Sequence, residues 1–322
     1  MDEFALINHY FRTAKRNGVD QGVIQGIGDD CAVLSVPAGQ QLVVSIDTLV
    51  EGVHFLPDTA PDLLAWRLLG AAISDLAAMG ATPAWVTLAL TLPKADDVWL
   101  ASFSTALHEV LSLYRMTLVG GDTTRGPLTL SAQVHGFVEP DRALLRQGAQ
   151  VDDLICVTGT LGDSRAGLAC LLDNSPVNAV TSYLRERFYK PTPRILTGQL
   201  LVGYASACLD ISDGLLGDLN HLLEYDSLGA ELDSEALPLS SAIRSFVDEL
   251  QAQEWALSGG EDFELCFTIS PEQWHQLQAS LQNHNVQVTP IGRIVSQSGI
   301  RIKKNGSWVQ VQPNGFNHFA GE

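Results

Sequence analysis

Residues 62–92 read DLLAWRLLGAAISDLAAMGATPAWVTLALTL. After Pro61, apolar residues recur at helical spacing through Met79, and Gly80 ends the run. The next stretch, 84–92, is an apolar, β-rich strand. A helix apolar on nearly every side must be buried, and so must a strand with no polar alternation. The pair therefore predicts stacked layers of helix and sheet. Toward the N-terminus, CAVLSVP (31–37) and QLVVSIDT (41–48) flank Ala-Gly-Gln, which predicts a hairpin whose second strand ends at Asp47. Toward the C-terminus a helix at 97–114 separates strands at 84–92 and 117–120, and a strand at 128–138 follows. Beyond Pro140 the pattern restarts with a strand at 154–158 and helices around 162–173 and 193–202. A strand at 206–211 and a helix at 213–225 come next. The tail reads as a strand at 264–269, a helix at 271–283, and strands near 287–294 and 299–303. Strands and helices mix without a strict βαβ rhythm, so the fold class is α+β. The break falls near 140–152, giving an N-terminal domain over 1–148 and a C-terminal domain over 149–322.

The 322 residues include 19 Lys and Arg against 37 Asp and Glu, a formal net charge of −18. A nucleic-acid binder needs a basic face, so that class is excluded. An apolar fraction of 46% with 17% charged residues supports a large core and excludes a disordered chain. The negative charge is uneven. No Lys or Arg occurs between Arg16 and Arg67 or between Arg194 and Arg244, although both windows are rich in acids. Met1 leads into Asp2-Glu3 without the basic and apolar regions of a secretory signal. Gly80, Thr82 and Pro83 interrupt the uncharged run 76–93, which excludes a membrane span. The 5 cysteines are odd in number and contain no C-x-x-C, as expected of reduced thiols in a cytoplasmic protein.

Five segments place aspartates beside glycine or apolar residues, with Arg125 the one basic residue among them. They are GIGDD (26–30), SID (45–47), ISD (73–75), GGDTTRG (120–126) and DISDG (210–214). Converging carboxylates repel and are costly to bury unless a cation neutralises them. Magnesium suits such hard oxygen donors and works beside phosphate, so the pattern points to metal-assisted phosphoryl transfer. Taken singly, each segment has a plainer reading. Asp29-Asp30 can be a turn, Gly120-Gly121 can be a loop following a strand, and Asp213 can be a helix N-cap. Asp75, within an apolar helical run, has no such structural excuse. A P-loop, a dinucleotide fingerprint, protein-kinase motifs and a zinc cluster are all absent. The DxxDG run differs from a haloacid-dehalogenase nucleophile motif, which needs carboxylates at i and i+2. A non-catalytic magnesium-binding scaffold is the alternative from another class.

The segments GIGDDCAVL (26–34), SIDTLVEGVHF (45–55), ISDLAAMGATP (73–83), VGGDTTRGPL (119–128), LDISDGLLGDL (209–219) and SGGEDFELCF (258–267) resemble the thiamine-monophosphate kinase family. That family lies within the aminoimidazole ribonucleotide synthetase-like superfamily. The resemblance implies a two-domain fold with an N-terminal sheet that forms a barrel in a homodimer, and a C-terminal α/β sandwich. It implies ATP-dependent phosphorylation of thiamine monophosphate with several Mg2+ ions. By matching motif, the metal positions are Asp30, Ser45, Ile46 through its carbonyl, Asp47, Asp75, Asp122, Asp210 and Asp213. ATP contacts fall on Gly121, Asp122, Arg146 and Ser212. Substrate contacts fall on His54, Glu261 and Phe316. No residue is implied as a general acid or base.

Overall fold

The computed structural model describes residues 3–12, 22–304, 306–313 and 315. The chain divides into two compact units, Met1–Leu76 with Ala81–Asp141, and Ala77–Gly80 with Arg142–Glu322.

In the first unit a short helix α1 (Glu3–Leu6) runs into a π turn at Ile7–Phe11. It is followed by β1 (Val23–Gln25), β2 (Val33–Leu34), β3 (Gln41–Val50), α2 (Pro61–Ala78), β4 (Thr82–Leu92), α3 (Asp97–Leu113), β5 (Thr117–Arg125) and β6 (Thr129–Val138). Four strands form one sheet in the order β3-β6-β4-β5. β6 runs antiparallel to both neighbours, while β4 and β5 are parallel. Helix α3 supplies the crossover that a parallel pair requires. Its start is fixed by Asp96, whose Oδ1 accepts from Val98 N and Trp99 N at 3.1 Å. In α2, Leu64, Leu68, Leu69 and Ile73 are fully buried, each contributing roughly 1.5–3 kcal/mol of hydrophobic stabilisation.

The predicted hairpin over 31–48 does not form. β2 pairs with β1, whereas β3 pairs with β6 in continuous register from Gln41↔Val138 to Val50↔Thr129. The turn at 38–40 is real, with Gly39 at φ 76°. However, the full-length partner lies far along the chain, and its long ladder outweighs pairing with a two-residue neighbour. The β1–β2 ribbon instead lays Val23, Ala32 and Leu34 against Trp85, Val119 and Phe137.

The second unit holds β7 (Leu154–Thr158), α4 (Asp163–Leu172), α5 (Ala179–Tyr189), α6 (Ile195–Leu201), β8 (Ala207–Asp210), α7 (Leu215–Asp226), β9 (Gly229–Asp233), α8 (Ser241–Phe246), α9 (Glu249–Ser258), β10 (Leu265–Ile269), α10 (Pro271–Asn283), β11 (Val288–Val295), β12 (Gly299–Lys304) and β13 (Ser307–Val311). Its sheet has the order β13-β12-β9-β11-β7-β10-β8, with only β12–β9 parallel among these pairs. Alternation along the strands builds a core on each face. Ile155, Val157, Leu209 and Cys266 pack against α7. Cys156, Cys208, Leu265 and Phe267 pack against α6 and α10. Burial pushes the Cys266 thiol up to about 12, and raises Cys156 and Cys208 in the same way. Cys170 is also buried, whereas Cys31 is exposed. No helix of the described residues is long and apolar enough to cross a membrane.

Candidate functional site

In the first unit, the inward face of β3 and the last turn of α2 bring together Ser45, Asp47 and Asp75. Ser45 Oγ donates to Asp75 Oδ2. Burial, reinforced by the charge of Asp75, pushes the Asp47 carboxyl up to about 7. Two carboxylates and a hydroxyl held close together are hard-oxygen donors whose repulsion a divalent cation would relieve. Ile46, between them, turns its side chain outward and is 63% exposed. Among the described residues β3 is the sheet edge, so alternate carbonyls along it have no ladder partner there.

Asp122 lies elsewhere. Gly120, Gly121 and Asp122 lie within β5 rather than in a loop after it, which corrects the reading of a loop that follows a strand. A Cβ on Gly121 would stand 1.9 Å from Leu88 O, so close strand approach is what demands glycine here. Register places Asp47, Ala132, Leu88 and Gly121 in one row, and Thr48, Ser131, Ala89 and Asp122 in the next. Thr48 Oγ1 and Ser131 Oγ meet at 2.7 Å on that second row. Successive rows point to opposite faces, so Asp122 stands on the other face of the sheet from Asp47. Asp30 is exposed on the β1–β2 connection, where its N–H donates to Asp29 Oδ1 at 2.9 Å. Among the described residues, no group of three or more His, Cys, Asp or Glu side chains forms a metal cage.

His54 sits in the turn after β3. Its Nδ1 accepts from Val50 N at 3.0 Å, so the neutral ring carries its proton on Nε2. Its carbonyl accepts from Arg67 Nε and Nη2 at 3.0 and 2.8 Å. Arg67 is only 1% exposed, and it fixes this turn from inside α2.

In the second unit, Asp210 ends β8 and is buried. Asp213 is not the N-cap of α7, because that position is Gly214. Instead, Ser212 N and Asp213 N donate to Asp218 Oδ2 at 3.0 and 2.9 Å. Burial pushes Asp218 up to about 6, against the pull of those N–H groups and of Arg146. Arg146 is exposed on a loop whose Gly148 and Ala149 N–H groups donate to Asp226 Oδ2 at 2.8 and 3.1 Å.

The Gly-Gly-Glu segment packs directly on this turn. A Cβ on Gly260 would stand 2.6 Å from Ser212 O, and one on Gly214 2.8 Å from Ser258 O. Glu261 N donates to Ser212 O at 2.7 Å, and Phe263 N to Ile211 O at 2.9 Å. Glu261 and Phe263 both take left-handed backbone, at φ 68° and 50°. Such conformations cost about 1–3 kcal/mol each and persist only where neighbours enforce them. The enforcers flank them. Asp262, 1% exposed, accepts from Gly162 N at 2.7 Å and Ser164 N at 3.2 Å. Glu264, fully buried, is bound by Arg187 Nη2 at 2.9 Å, Arg194 Nε at 2.6 Å and Thr158 Oγ1 at 2.6 Å. Phe316 lies outside the described residues, although Gly315 lies against Gly217 and Asp213.

Sequence reasoning did not assign Arg67, Asp218, Asp262 or Glu264. Arg67 and Asp218 were visible as charges within otherwise apolar stretches, the same signal that singled out Asp75, whereas Asp262 and Glu264 lie in an acidic run, Glu261-Asp262-Phe263-Glu264.

Residues 28–138 match the AIR synthase related protein N-terminal domain, and residues 150–305 the corresponding C-terminal domain. The thiamine-monophosphate kinase of Salmonella typhimurium is 48% identical over 321 residues, covering 99% of this chain and 98% of that protein. Among solved structures, the thiamine-monophosphate kinase from Stenotrophomonas maltophilia K279a superposes with a TM-score of 0.85 at 40% identity, covering 89% of this chain and 93% of that one. AaThiL, solved in complex with AMPPCP and TMP, superposes with a TM-score of 0.79 at 33% identity, covering 88% and 89%. Matched by both domain models and by kinases along nearly its whole length, this chain belongs to the thiamine-monophosphate kinase family of the AIR synthase-like superfamily.

Proposed function

We infer that this chain phosphorylates thiamine monophosphate with ATP, yielding thiamine diphosphate by direct in-line transfer of the γ-phosphoryl group. The observation that carries this is the end-to-end identity with a thiamine-monophosphate kinase, which spans every acidic segment singled out above. A relative in complex with AMPPCP and TMP supports the same pair of ligands.

The terminal phosphate of the acceptor is already an anion, so attack needs no strong general base. Positioning and charge neutralisation then carry the rate. Ser45, Asp47 and Asp75 suit magnesium, which commonly takes only one or two protein carboxylates and completes its shell with water and phosphate. Bound magnesium would neutralise charge developing on the transferring phosphoryl group. Asp30, Asp122, Asp210 and Asp213, with the Ile46 carbonyl, are the further metal positions of this reading. Arg146, Ser212 and Gly121 serve the nucleotide. His54, Glu261 and Phe316 serve the thiamine moiety, with His54 donating through its Nε2–H.

A second copy of the chain completes the picture. Edge strand β3 exposes Leu42, Val44 and Ile46, at 43%, 48% and 63%, on the sheet face that also carries Asp122. An exposed apolar edge of this length calls for a partner, and homodimerisation through this sheet supplies one.

The test is an assay of purified protein with ATP, magnesium and thiamine monophosphate, with thiamine as the control acceptor. Transfer to the monophosphate alone is expected. Asp47→Asn should abolish turnover while leaving the circular dichroism spectrum unchanged. Transfer to free thiamine, or near-normal turnover in the variant, would overturn the reading.

A further inference from the structure

We propose that Asp218 is a positioning residue for nucleotide binding, holding the Ser212–Asp213 turn in place through a single carboxylate oxygen. This rests on the assignment of Ser212 and Asp213 to nucleotide and metal.

Asp218 lies in the first turn of α7, is 4% exposed, and packs among the leucines of the helix that faces the sheet core. It does not cap its own helix. Both of its contacts go back to the preceding turn, where Ser212 N and Asp213 N converge on Oδ2 at 3.0 and 2.9 Å. On its opposite side the turn is pinned by Glu261 N on the Ser212 carbonyl at 2.7 Å, where Gly260 leaves room for the close approach. The turn is therefore clamped between one side-chain acceptor, Asp218 Oδ2, on one side and one backbone donor, Glu261 N, on the other.

Two consecutive N–H groups aimed at one point form an anion nest. Here the anion is the protein's own carboxylate, so those amides are not available to a phosphate. Ser212 and Asp213 must then meet nucleotide and metal through their side chains, and Asp218 decides where those side chains start. Outer partners of this kind typically govern affinity or activity by about 10–100-fold.

Because both bonds end on the same oxygen, an amide oxygen can replace it. Asp218→Asn preserves the acceptor, whereas Asp218→Leu fills the same space without one, and Asp218→Ala serves if the leucine variant does not fold. Calorimetric titration of AMPPCP with magnesium into the full-length chain reads the effect without turnover. The leucine variant should bind about 10–100-fold more weakly than wild type, and the asparagine variant within about threefold of it. Ser212→Ala should weaken binding in the wild type but add nothing in the leucine variant, because its side chain is already displaced. Wild-type binding by the leucine variant, equal losses in Asn and Leu, or additive losses with Ser212→Ala would each overturn the tether. Unchanged binding in both Ser212→Ala and Asp213→Asn would instead remove the assignment on which it rests.

Discussion

At the residue scale, individual hydrogen bonds already determine what some groups can do. The Val50 N–H occupies His54 Nδ1, so that nitrogen is an acceptor and the neutral ring carries its proton on Nε2. Glutamine can place an N–H near the reach of Nε2, whereas asparagine reaches only as far as Nδ1. His54→Ala should raise KM for thiamine monophosphate by about tenfold, the equivalent of one hydrogen bond of roughly 1.4 kcal/mol. His54→Gln should recover more of the loss than His54→Asn. An unchanged KM in the alanine variant would argue against the substrate role. Asp262 illustrates a different constraint. Burial pushes its carboxyl up to about 7, whereas in an unfolded chain a carboxyl titrates near about 4. Between those values the folded state holds a proton that the unfolded state lacks. This group therefore increasingly favours folding as pH falls from 7 toward 4, and opposes it above 7. Asp262→Asn has no such titration. The melting-temperature difference between wild type and this variant should move in favour of wild type from about pH 8 to about pH 5, and a constant difference would refute it.

At the element scale, the close contact of Gly121 with Leu88 ties β5 to β4, and with it the carrier of Asp122. Gly121→Ala would push a methyl group into a backbone oxygen that cannot move without parting the strands. A loss of about 3 kcal/mol is expected, the upper end for inserting a methyl where no space exists, and denaturant unfolding would show it. A change below about 1 kcal/mol would mean the strands separate freely. Local pattern made much of this architecture legible. Helix α2 and strand β4 follow from the run of 62–92, because periodicity and a glycine stop are local facts. The partner of β3 was not legible, since pairing with β6 depends on a ladder some ninety residues away. Helix α5 escaped notice because its apolar stripe is narrow, with only Val180, Leu184 and Phe188 among polar and charged residues, although Asn178 and Thr181 form a capping box at its start. The acids in the motifs stood out by contrast with their neighbours. Asp218 shares that contrast and Asp262, beside Glu261, does not, and for both only their backbone partners, far away or reached by a turn, reveal what they hold.

At the scale of the whole molecule, the apolar face along β3 bears on assembly. A carboxylate at position 46 would be tolerated in an isolated chain, where that side chain is 63% exposed, and rejected in an interface. Ile46→Asp should therefore shift the sedimentation coefficient from dimer to monomer with little change in far-ultraviolet circular dichroism. A variant that still sediments as a dimer would place the interface elsewhere. The core of the second unit carries a further consequence through its sulfur atoms. Cys156, Cys208 and Cys266 lie on neighbouring strands β7, β8 and β10, with thiols too hard to ionise at neutral pH, and Cys170 is shut away in α4. An alkylating reagent meets only Cys31 in the native chain; the three sheet sulfurs become reactive when the sheet opens, and Cys170 when the helices packed around α4 part. The wild-type sequence thus contains its own stopwatch: one fast equivalent of modification, then three whose rate reports how often the sheet core comes apart, with Cys170 reporting the helical cluster beside it.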